Sequence, residues 1–181
     1  MAFTPRLRAP SQSDLHWIKT TYGGYNKCIV INTTTGSVLP NCTGYAWGRF
    51  LEINELTDCD LSRGDAGNWY GHDDPYERGF LPRLGAIICW SKIGGAGHVA
   101  VVEEIKSNGD LRTSNSAYNG SRFFLETVKK SKNYNRGTLY RFQGFIYSPN
   151  IYPPVTKNVT HKFKWVLFTK KFRRERNPSN W

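Results

Sequence analysis

Three residues have the types and spacing for nucleophilic chemistry: Cys42, His98 and Asn115. Cys42 follows Pro40 and Asn41, which are start signals for a helix, so its thiol is predicted at a helix N terminus. Backbone N–H groups and the helix dipole favour negative charge there, which favours the thiolate and would later stabilise an oxyanion. The same position would equally suit a small buried cysteine, which is the common fate of this residue type.

His98 begins a β-branched segment, residues 98–105, that follows a Gly-rich turn. Every second residue of a strand lies on the same face, so His98 shares a face with Ala100 and Val102. Taken alone, it would most simply be a core or edge histidine. The returning strand of the next hairpin favours a catalytic role, because it carries a polar residue toward the same face.

The dipeptide Asn108-Gly109 predicts a hairpin whose returning strand contains Asn115. With a two-residue loop, Asn115 would stand opposite Val102, and with a four-residue loop it would stand opposite Ala100, diagonal to His98. Both registers place Asn115 on the face of His98. Only the longer loop brings the two side chains near, because diagonal neighbours lie about 7–8 Å apart.

A three-residue loop would instead turn Asn115 away and present Ser114 or Ser116, and the sequence leaves this register open. Glu103 and Glu104 are rival partners for the histidine. Glu103 faces away from it and Glu104 lies far along the strand, so both rank below Asn115. With Asn115 in place, the cysteine would attack an amide carbonyl, the histidine would transfer the proton, and the asparagine oxygen would hold the imidazole.

The sequence around these motifs predicts one helix, which begins at Cys42, and several strands. The helix is expected over residues 42–51, and residues 59–83, rich in Gly, Asp and aromatic residues, are expected to form a long loop. Strands are predicted over residues 85–90, 98–105, 111–118 and 139–147, and a short helix or turn around 13–18.

Composition bounds the class of protein. The 181 residues suffice for one domain, and 39% hydrophobic residues indicate a globular chain. The net charge of +11 favours a polyanionic partner: nucleic acid, anionic lipid or an anionic cell wall. The four cysteines have no C-x-x-C spacing, so a structural zinc site is not expected. No signal peptide and no apolar run long enough to cross a bilayer are visible.

The chain divides into an N-terminal arm at residues 1–12, a catalytic domain at 13–148 and a tail at 149–181. The tail mixes aromatic residues with a cluster of basic ones, which suits contact with anionic wall polymers. The basic cluster comprises His161, Lys162, Lys164, Lys170, Lys171, Arg173, Arg174 and Arg176.

Five ordered segments together resemble a CHAP domain, the cysteine- and histidine-dependent amidohydrolase/peptidase module of phage endolysins and bacterial autolysins. The resemblance covers roughly residues 14–147, and the ordered set is far more specific than any one motif. The segments are Asn41-Cys42-Thr43-Gly44-Tyr45-Ala46-Trp47-Gly48, Gly67-Asn68-Trp69, residues 82–90, residues 97–103, and Phe142-Gln143-Gly144-Phe145-Ile146-Tyr147.

The resemblance implies an α+β, papain-like (NlpC/P60-like) fold, with N-terminal helices packed on a central antiparallel sheet. It implies hydrolysis of an amide bond in peptidoglycan, either the N-acetylmuramoyl–L-alanine link or a bond of the stem peptides and cross-bridges. By motif position, Cys42 matches the family's nucleophile and His98 its base. The implied partner is a bacterial wall, Gram-positive by preference.

The sequence departs from the family pattern in two places. The third catalytic position is often Glu, within Glu-x-Asn, whereas here Asn115 takes the Glu position and Ala117 the Asn position. An amide would orient the imidazole but stabilise its charge less. Some relatives carry an Asp-rich calcium loop before the nucleophile, but residues 33–40 contain no carboxylate. We therefore expect no metal and no cofactor.

Aromatic residues near the motifs are candidates for substrate contact, although ordinary core packing would explain at least half of them. The candidates are Tyr45, Trp69, Tyr70, Trp90 and Tyr118.

Two other classes of function compete with the hydrolase. A nucleic-acid-binding protein would use the basic charge, but no binding motif is present and the ordered cysteine and histidine segments would have no role. An inactive phage tail protein with a papain-like domain is the other. The leading hypothesis is a phage-type lysin, held in the host cytoplasm until holin release or carried in the virion, that acts on the cell wall.

Overall fold

The computed structural model describes residues 3–10, 41–118 and 120–151. These ranges form one helix, six strands and two short 3₁₀ turns, at Ala66–Asn68 and Lys130–Lys132. The helix is α1 (Cys42–Asn54), and the strands are β1 (Arg78–Gly79), β2 (Ile87–Lys92), β3 (Gly95–Ile105), β4 (Leu111–Asn115), β5 (Phe124–Val128) and β6 (Tyr140–Ile146). The prediction of an α+β fold with a helix on an antiparallel sheet is confirmed.

Helix α1 begins as the sequence predicts and runs three residues further. Asn41 is its N-cap, in extended conformation, and its Oδ1 accepts the backbone N–H groups of Thr43 and Gly44. The helix ends at Glu55, whose left-handed backbone (φ 53°) turns the chain away while its N–H bonds the last turn. This capping fixes the position at which Cys42 enters the helix.

The sheet has the strand order β1-β6-β2-β3-β4-β5, with every neighbouring pair antiparallel. A tight turn joins β2 to β3, where Lys92 pairs with Gly95, so β3 begins three residues earlier than predicted. The predicted loop at 59–83 contains a 3₁₀ turn and the short β1, and β5 is an additional edge strand. Strand β3, which carries His98, is thus an interior strand between β2 and β4.

Buried apolar side chains cover both faces of the sheet. The cluster beneath α1 includes Trp47, Phe50, Trp69, Val99 and Val101. The cluster on alternate strand positions includes Ile88, Trp90, Ala100, Val102 and Phe145. The alternation along β2 and β3 therefore places His98 at the end of the row that contains Ala100 and Val102.

The described part of the N-terminal arm, residues 3–10, packs on α1 and β3. The backbone N–H of Arg6 donates to Glu103 at 2.8 Å, and its side chain pairs with Glu52. Arg49 of the helix donates to the carbonyl of Thr4 at 2.7 Å. These contacts join the first residues of the chain to the helix that carries the cysteine.

Several predictions concern residues outside the described ranges: the short helix around 13–18, the segment 33–40 and most of the tail at 149–181. Within the described ranges, no helix is both long and apolar enough to span a membrane.

Candidate active site

His98 and Asn115 are hydrogen-bonded: Nε2 of the imidazole lies 3.0 Å from Oδ1 of Asn115, and both side chains are buried. The amide is oriented from its other end, because Nδ2 donates to the carbonyl and hydroxyl oxygens of Thr113 at 3.1 and 3.0 Å. Oδ1 is therefore the acceptor, which assigns the proton to Nε2. Nδ1 keeps its lone pair, as a general base requires.

The hairpin loop between β3 and β4 is longer than each predicted alternative. Ile105 pairs with Leu111, so residues 106–110 form the loop, closed by a 2.8 Å bond from the Lys106 N–H to the Asp110 carbonyl. This odd-numbered loop by itself would turn Asn115 to the face opposite His98.

A bulge in β3 restores the productive register. The pairing shifts by one residue at Glu103, so that Val102 pairs with Thr113 beyond it. An extra residue in one strand moves all later positions to the other face. The register near the site is consequently the one expected of a four-residue loop, and Asn115 reaches His98.

The bulged residue, Glu103, is fully buried and binds Arg49 of the helix instead of His98. Arg49 donates to both of its carboxylate oxygens, at 3.0 and 2.9 Å, and Ser114 donates at 2.7 Å. Ser114 and Asn115 are consecutive, so their side chains lie on opposite faces of β4. Glu103 faces away from His98, as predicted, and joins α1 to the strand that holds Asn115.

Two aromatic rings flank His98. Trp90, its cross-strand neighbour on β2, stacks on the imidazole at 5.7 Å between centroids and 27° between planes. Tyr140 meets the same ring edge-on at 6.3 Å. The Trp90 ring is itself held by a 2.6 Å bond from Nε1 to the carbonyl of Tyr134. These contacts restrict the imidazole to one orientation.

Gly97 permits a close approach just before His98. Its φ is +83°, and a Cβ there would lie 2.4 Å from the backbone nitrogen of Gly67 and 2.5 Å from the carbonyl oxygen of Trp90. Gln143 holds the same loop by donating to the Gly67 carbonyl at 2.9 Å. Only glycine fits this conformation and this space, so residue 97 allows the segment that contains Gly67 to pack closely against the start of β3.

Cys42 and His98 line the same cavity, of about 470 Å³. The cysteine is the first residue of α1, and the backbone of Val99, next to His98, lies within hydrogen-bonding range of its thiol group. Asn41 holds the helix start against β4, because its backbone N–H donates to Ser116 Oγ at 2.9 Å. The fold therefore brings a helix-start thiol and an oriented imidazole to one concave surface.

The thiol of Cys42 does not follow the predicted shift toward thiolate. Burial raises its pKa, and this outweighs the backbone groups of Val99, Thr43 and Cys42 and the charge of Arg136, which all act to lower it. Desolvation penalises the charged form of a thiol more than a helix N terminus favours it here. The resting cysteine is neutral near pH 7.

The imidazole of His98 is also neutral at rest. Burial is the largest cause that lowers its pKa to about 4, and the positive charge of Arg136 acts in the same direction. The bond to Asn115 acts weakly in the opposite direction. The pair thus starts as thiol and neutral imidazole, so proton transfer accompanies attack on a substrate.

Residues 32–117 match the family model of the CHAP domain. The matched segment includes Cys42, His98 and Asn115. Among solved structures, the chain is similar to "N-acetylmuramoyl-L-alanine Amidase from Staphylococcus aureus", at 23% identity and a TM-score of 0.44. That similarity covers 58% of this chain and 30% of the other, so the chain spans under a third of that protein's length.

Three of the predicted substrate contacts are core residues. Tyr45, Trp69 and Trp90 have no exposed surface, because the interior faces of α1, of the 66–69 turn and of β2 bury them. Tyr70 is half-buried, packs beside Gly144 and Phe80, and does not line the cavity. The three buried aromatic residues are therefore core residues without a surface for substrate, whereas the role of Tyr70 stays a prediction.

Tyr118 is the predicted contact that does line the cavity. It is 62% exposed and lies three residues beyond Asn115, next to Ala117 of the same wall. An exposed phenol at the rim of a cavity offers an apolar ring and a polar hydroxyl to a ligand.

Lys92, Arg136 and Tyr140 are among the residues of the cavity wall that the sequence did not predict. Lys92 and Tyr140 are paired on β2 and β6, and Arg136 lies in the segment before β6. The pairing of β2 with β6 could not be read from the chain, so these residues had no visible link to His98.

The other described cysteines are structural. Cys89 is fully buried in β2, and burial raises the pKa of Cys59 to about 12. Neither lines the cavity of Cys42. Among the described residues, no cluster of three His, Cys, Asp or Glu side chains is placed to hold a metal ion.

Proposed function

We propose that the protein is a peptidoglycan hydrolase that cleaves an amide bond, with Cys42 as nucleophile, His98 as general base and Asn115 as the residue that orients the imidazole. The observation that carries the proposal is the 3.0 Å contact of His98 with Asn115 beside a cavity that also contains Cys42. The CHAP domain supports this reaction class and the peptidoglycan substrate.

The first step transfers the thiol proton of Cys42 to Nδ1 of His98 as sulfur attacks the substrate carbonyl. Nε2 keeps its proton throughout, because Asn115 Oδ1 accepts it at 3.0 Å. The imidazolium then protonates the leaving amine, which leaves an acyl group on sulfur. Water attacks that thioester with His98 again as base, releasing a carboxylate and restoring the thiol.

The oxyanion formed in these steps needs a hydrogen-bond donor. In the first turn of α1, the N–H groups of Thr43 and Gly44 bond Asn41 Oδ1, and that of Tyr45 bonds the Asn41 carbonyl. The Cys42 N–H is the remaining donor of that turn within the described ranges. We assign it to the oxyanion, where a positioned backbone donor stabilises developing charge.

We further propose that the scissile bond is the N-acetylmuramoyl–L-alanine link or a bond of the stem or cross-bridge peptides, and that the protein acts at the wall as a phage-type lysin, free or virion-associated. The cavity of about 470 Å³ has Tyr118 exposed at its rim, where an aromatic ring can contact a glycan or a peptide. The net charge of +11 supports attraction to an anionic, Gram-positive wall.

Mass analysis of fragments from purified Gram-positive walls tests this proposal. Wild type and Cys59→Ser should clear the walls and release the same fragments, whose new termini name the bond. Cys42→Ser should release none, because a hydroxyl beside a neutral imidazole of low basicity is a far weaker nucleophile. Equal activity of Cys42→Ser, or no release by wild type from walls of several peptidoglycan types, would overturn the proposal.

A further inference from the structure

One wall of the cavity carries two cations on one aromatic ring. The Lys92 ammonium lies 5.3 Å from the centroid of Tyr140, and the Arg136 guanidinium carbon lies 5.3 Å from the same centroid. The Tyr140 ring is in turn in edge contact with His98. The Tyr140 ring therefore lies in contact with both cations and with His98, the proposed general base.

The positive charge of this wall is only partly balanced. Arg136 donates through Nε to Glu126 at 2.7 Å, and no hydrogen bond from its two terminal nitrogens is seen within the described ranges. Lys92 has no carboxylate partner there. Asp65 also lines the cavity, but it is exposed and has an interaction of its own. Of the side chains in contact with Tyr140 or Arg136, two are cations and one, Glu126, is a carboxylate.

Each side chain is suited to hold an anion. A guanidinium bound through Nε keeps its orientation and presents its terminal nitrogens as a fork that matches a carboxylate. Lys92 is half-buried, and Tyr140 limits the positions of its head group. Each cation lies 5.3 Å from the same ring centroid, and both attract an anion that binds at this wall.

We propose that Lys92, Arg136 and Tyr140 form a carboxylate subsite, which binds a free carboxylate of the peptidoglycan peptide and thereby places the scissile amide against Cys42. The inference rests on the proposed function and specifies its substrate: a muramyl peptide with a free carboxylate near the bond that is cut. Peptides in which that carboxylate is an amide are then poor substrates, because the subsite would desolvate two cations without a charged partner.

The position of Arg136 also links the subsite to the reaction. Its charge lowers the pKa of both His98 and Cys42. A bound carboxylate offsets this charge and makes His98 a stronger base in the substrate complex than in the free protein. Substrate carboxylates thus contribute to orientation and to the basicity of the imidazole.

The test compares two soluble N-acetylmuramoyl-peptides, one with free carboxylates and one in which they are primary amides. Lys92→Met and Arg136→Met are measured with both. Lys132→Met and Arg112→Met are matched controls, since Lys132 is exposed outside the cavity and Arg112 forms a similar half-exposed pair with Glu104.

We expect each cavity variant to raise KM for the carboxylate substrate by roughly ten- to a hundredfold, as for loss of a charge-assisted hydrogen bond, and thereby to reduce the preference of wild type for carboxylate over amide. The controls should leave the preference of wild type unaltered. Hydrolysis by wild type with no preference for carboxylate over amide, or equal loss on both substrates in the cavity variants, would overturn the subsite while the hydrolase stands.

Binding of the same peptides to Cys42→Ala separates the subsite from the reaction. If this variant binds the carboxylate peptide and loses that binding on Lys92→Met, the subsite stands even where no hydrolysis is found. A glycerol-phosphate polymer, the anion of teichoic acids, serves as competitor. Displacement of the peptide only by this polymer, with no carboxylate preference, would overturn a peptide carboxylate as the ligand.

Discussion

Trp90 and His98 are cross-strand partners whose rings stack, with centroids 5.7 Å apart and planes 27° apart. The tryptophan is fully buried, so its role is to support the imidazole from behind. A positioned catalytic group loses efficiency when its rotamer is released, even if it keeps its hydrogen bond.

Trp90→Leu should therefore lower kcat by roughly tenfold with a smaller effect on KM, because the released imidazole spends less time aligned with Cys42. Trp90→Phe keeps a ring and should retain most of the activity. Steady-state kinetics on a soluble muramyl peptide, with urea unfolding to verify that both variants fold, make the comparison. Equal losses in both variants would show that the ring does not position His98.

Asn115→Ala should lower kcat/KM by about a hundredfold, since loss of the oriented base removes part of a contribution typically worth 10²–10⁴. Nε2 of His98 would lose its acceptor, and either tautomer would become accessible. Asn115→Asp keeps an acceptor and adds a negative charge, which raises the pKa of His98. Partial activity in Asn115→Asp with an acid limb at higher pH is expected, and full activity in Asn115→Ala would refute the assignment.

The acid limb of kcat/KM should lie near pH 4, not near 6.5, because burial and Arg136 lower the pKa of His98 to about 4. The sign is fixed by the role of the imidazole: only its neutral form accepts the thiol proton, so activity is present above the folded pKa and is lost as pH falls through it. Arg136→Met should move this limb to higher pH, since one cause of the lowering is gone.

A pH–rate profile of wild type, Arg136→Met and Arg112→Met measures this effect. Arg112 is not among the causes of the His98 shift, so its variant should keep the profile of wild type. A limb near 6.5 in wild type, or identical limbs in all three proteins, would contradict an imidazole that is neutral and influenced by Arg136.

Glu103→Ala should destabilise the protein by about 3–5 kcal/mol, because it leaves the Arg49 guanidinium buried without its carboxylate. Glu104→Ala is the matched control: its pair with Arg112 is half-exposed at 3.4 Å and should contribute below about 1 kcal/mol. Urea unfolding monitored by tryptophan fluorescence gives both values. Comparable small losses would mean that the bulge does not depend on the ion pair.

The parts of the site that depend on local sequence rules, the helix start and the alternation along the strand, could be predicted from the sequence. The N-cap at Asn41 predicts the helix start at Cys42, and strand alternation places His98 on a face that Asn115 could share. The register could not be predicted. It depends on a bulge at Glu103 that is stabilised by Arg49, which lies 54 residues earlier in the chain.

The burial of individual side chains was the other property that could not be predicted from the sequence. Tyr45, Trp69 and Trp90 lie next to the motifs in the chain, but the packing of α1 on the sheet encloses Tyr45 and Trp69, and the cluster on the other face of the sheet encloses Trp90. The same enclosure raises the pKa of Cys42, although its position at a helix N terminus favours the opposite shift. Local pattern indicates where a side chain lies on its element, and tertiary packing decides whether solvent reaches it.

The most direct test is the release of new amino termini from purified Gram-positive walls, measured for wild type, Cys42→Ala and His98→Ala. Cleavage of the N-acetylmuramoyl–L-alanine link would expose L-alanine termini, and cleavage of the peptides would expose other amino termini. We predict that wild type releases new termini and that neither variant releases any above background, with all three proteins folded. Undiminished release by Cys42→Ala would contradict it, since the bond would then be cut without the thiol.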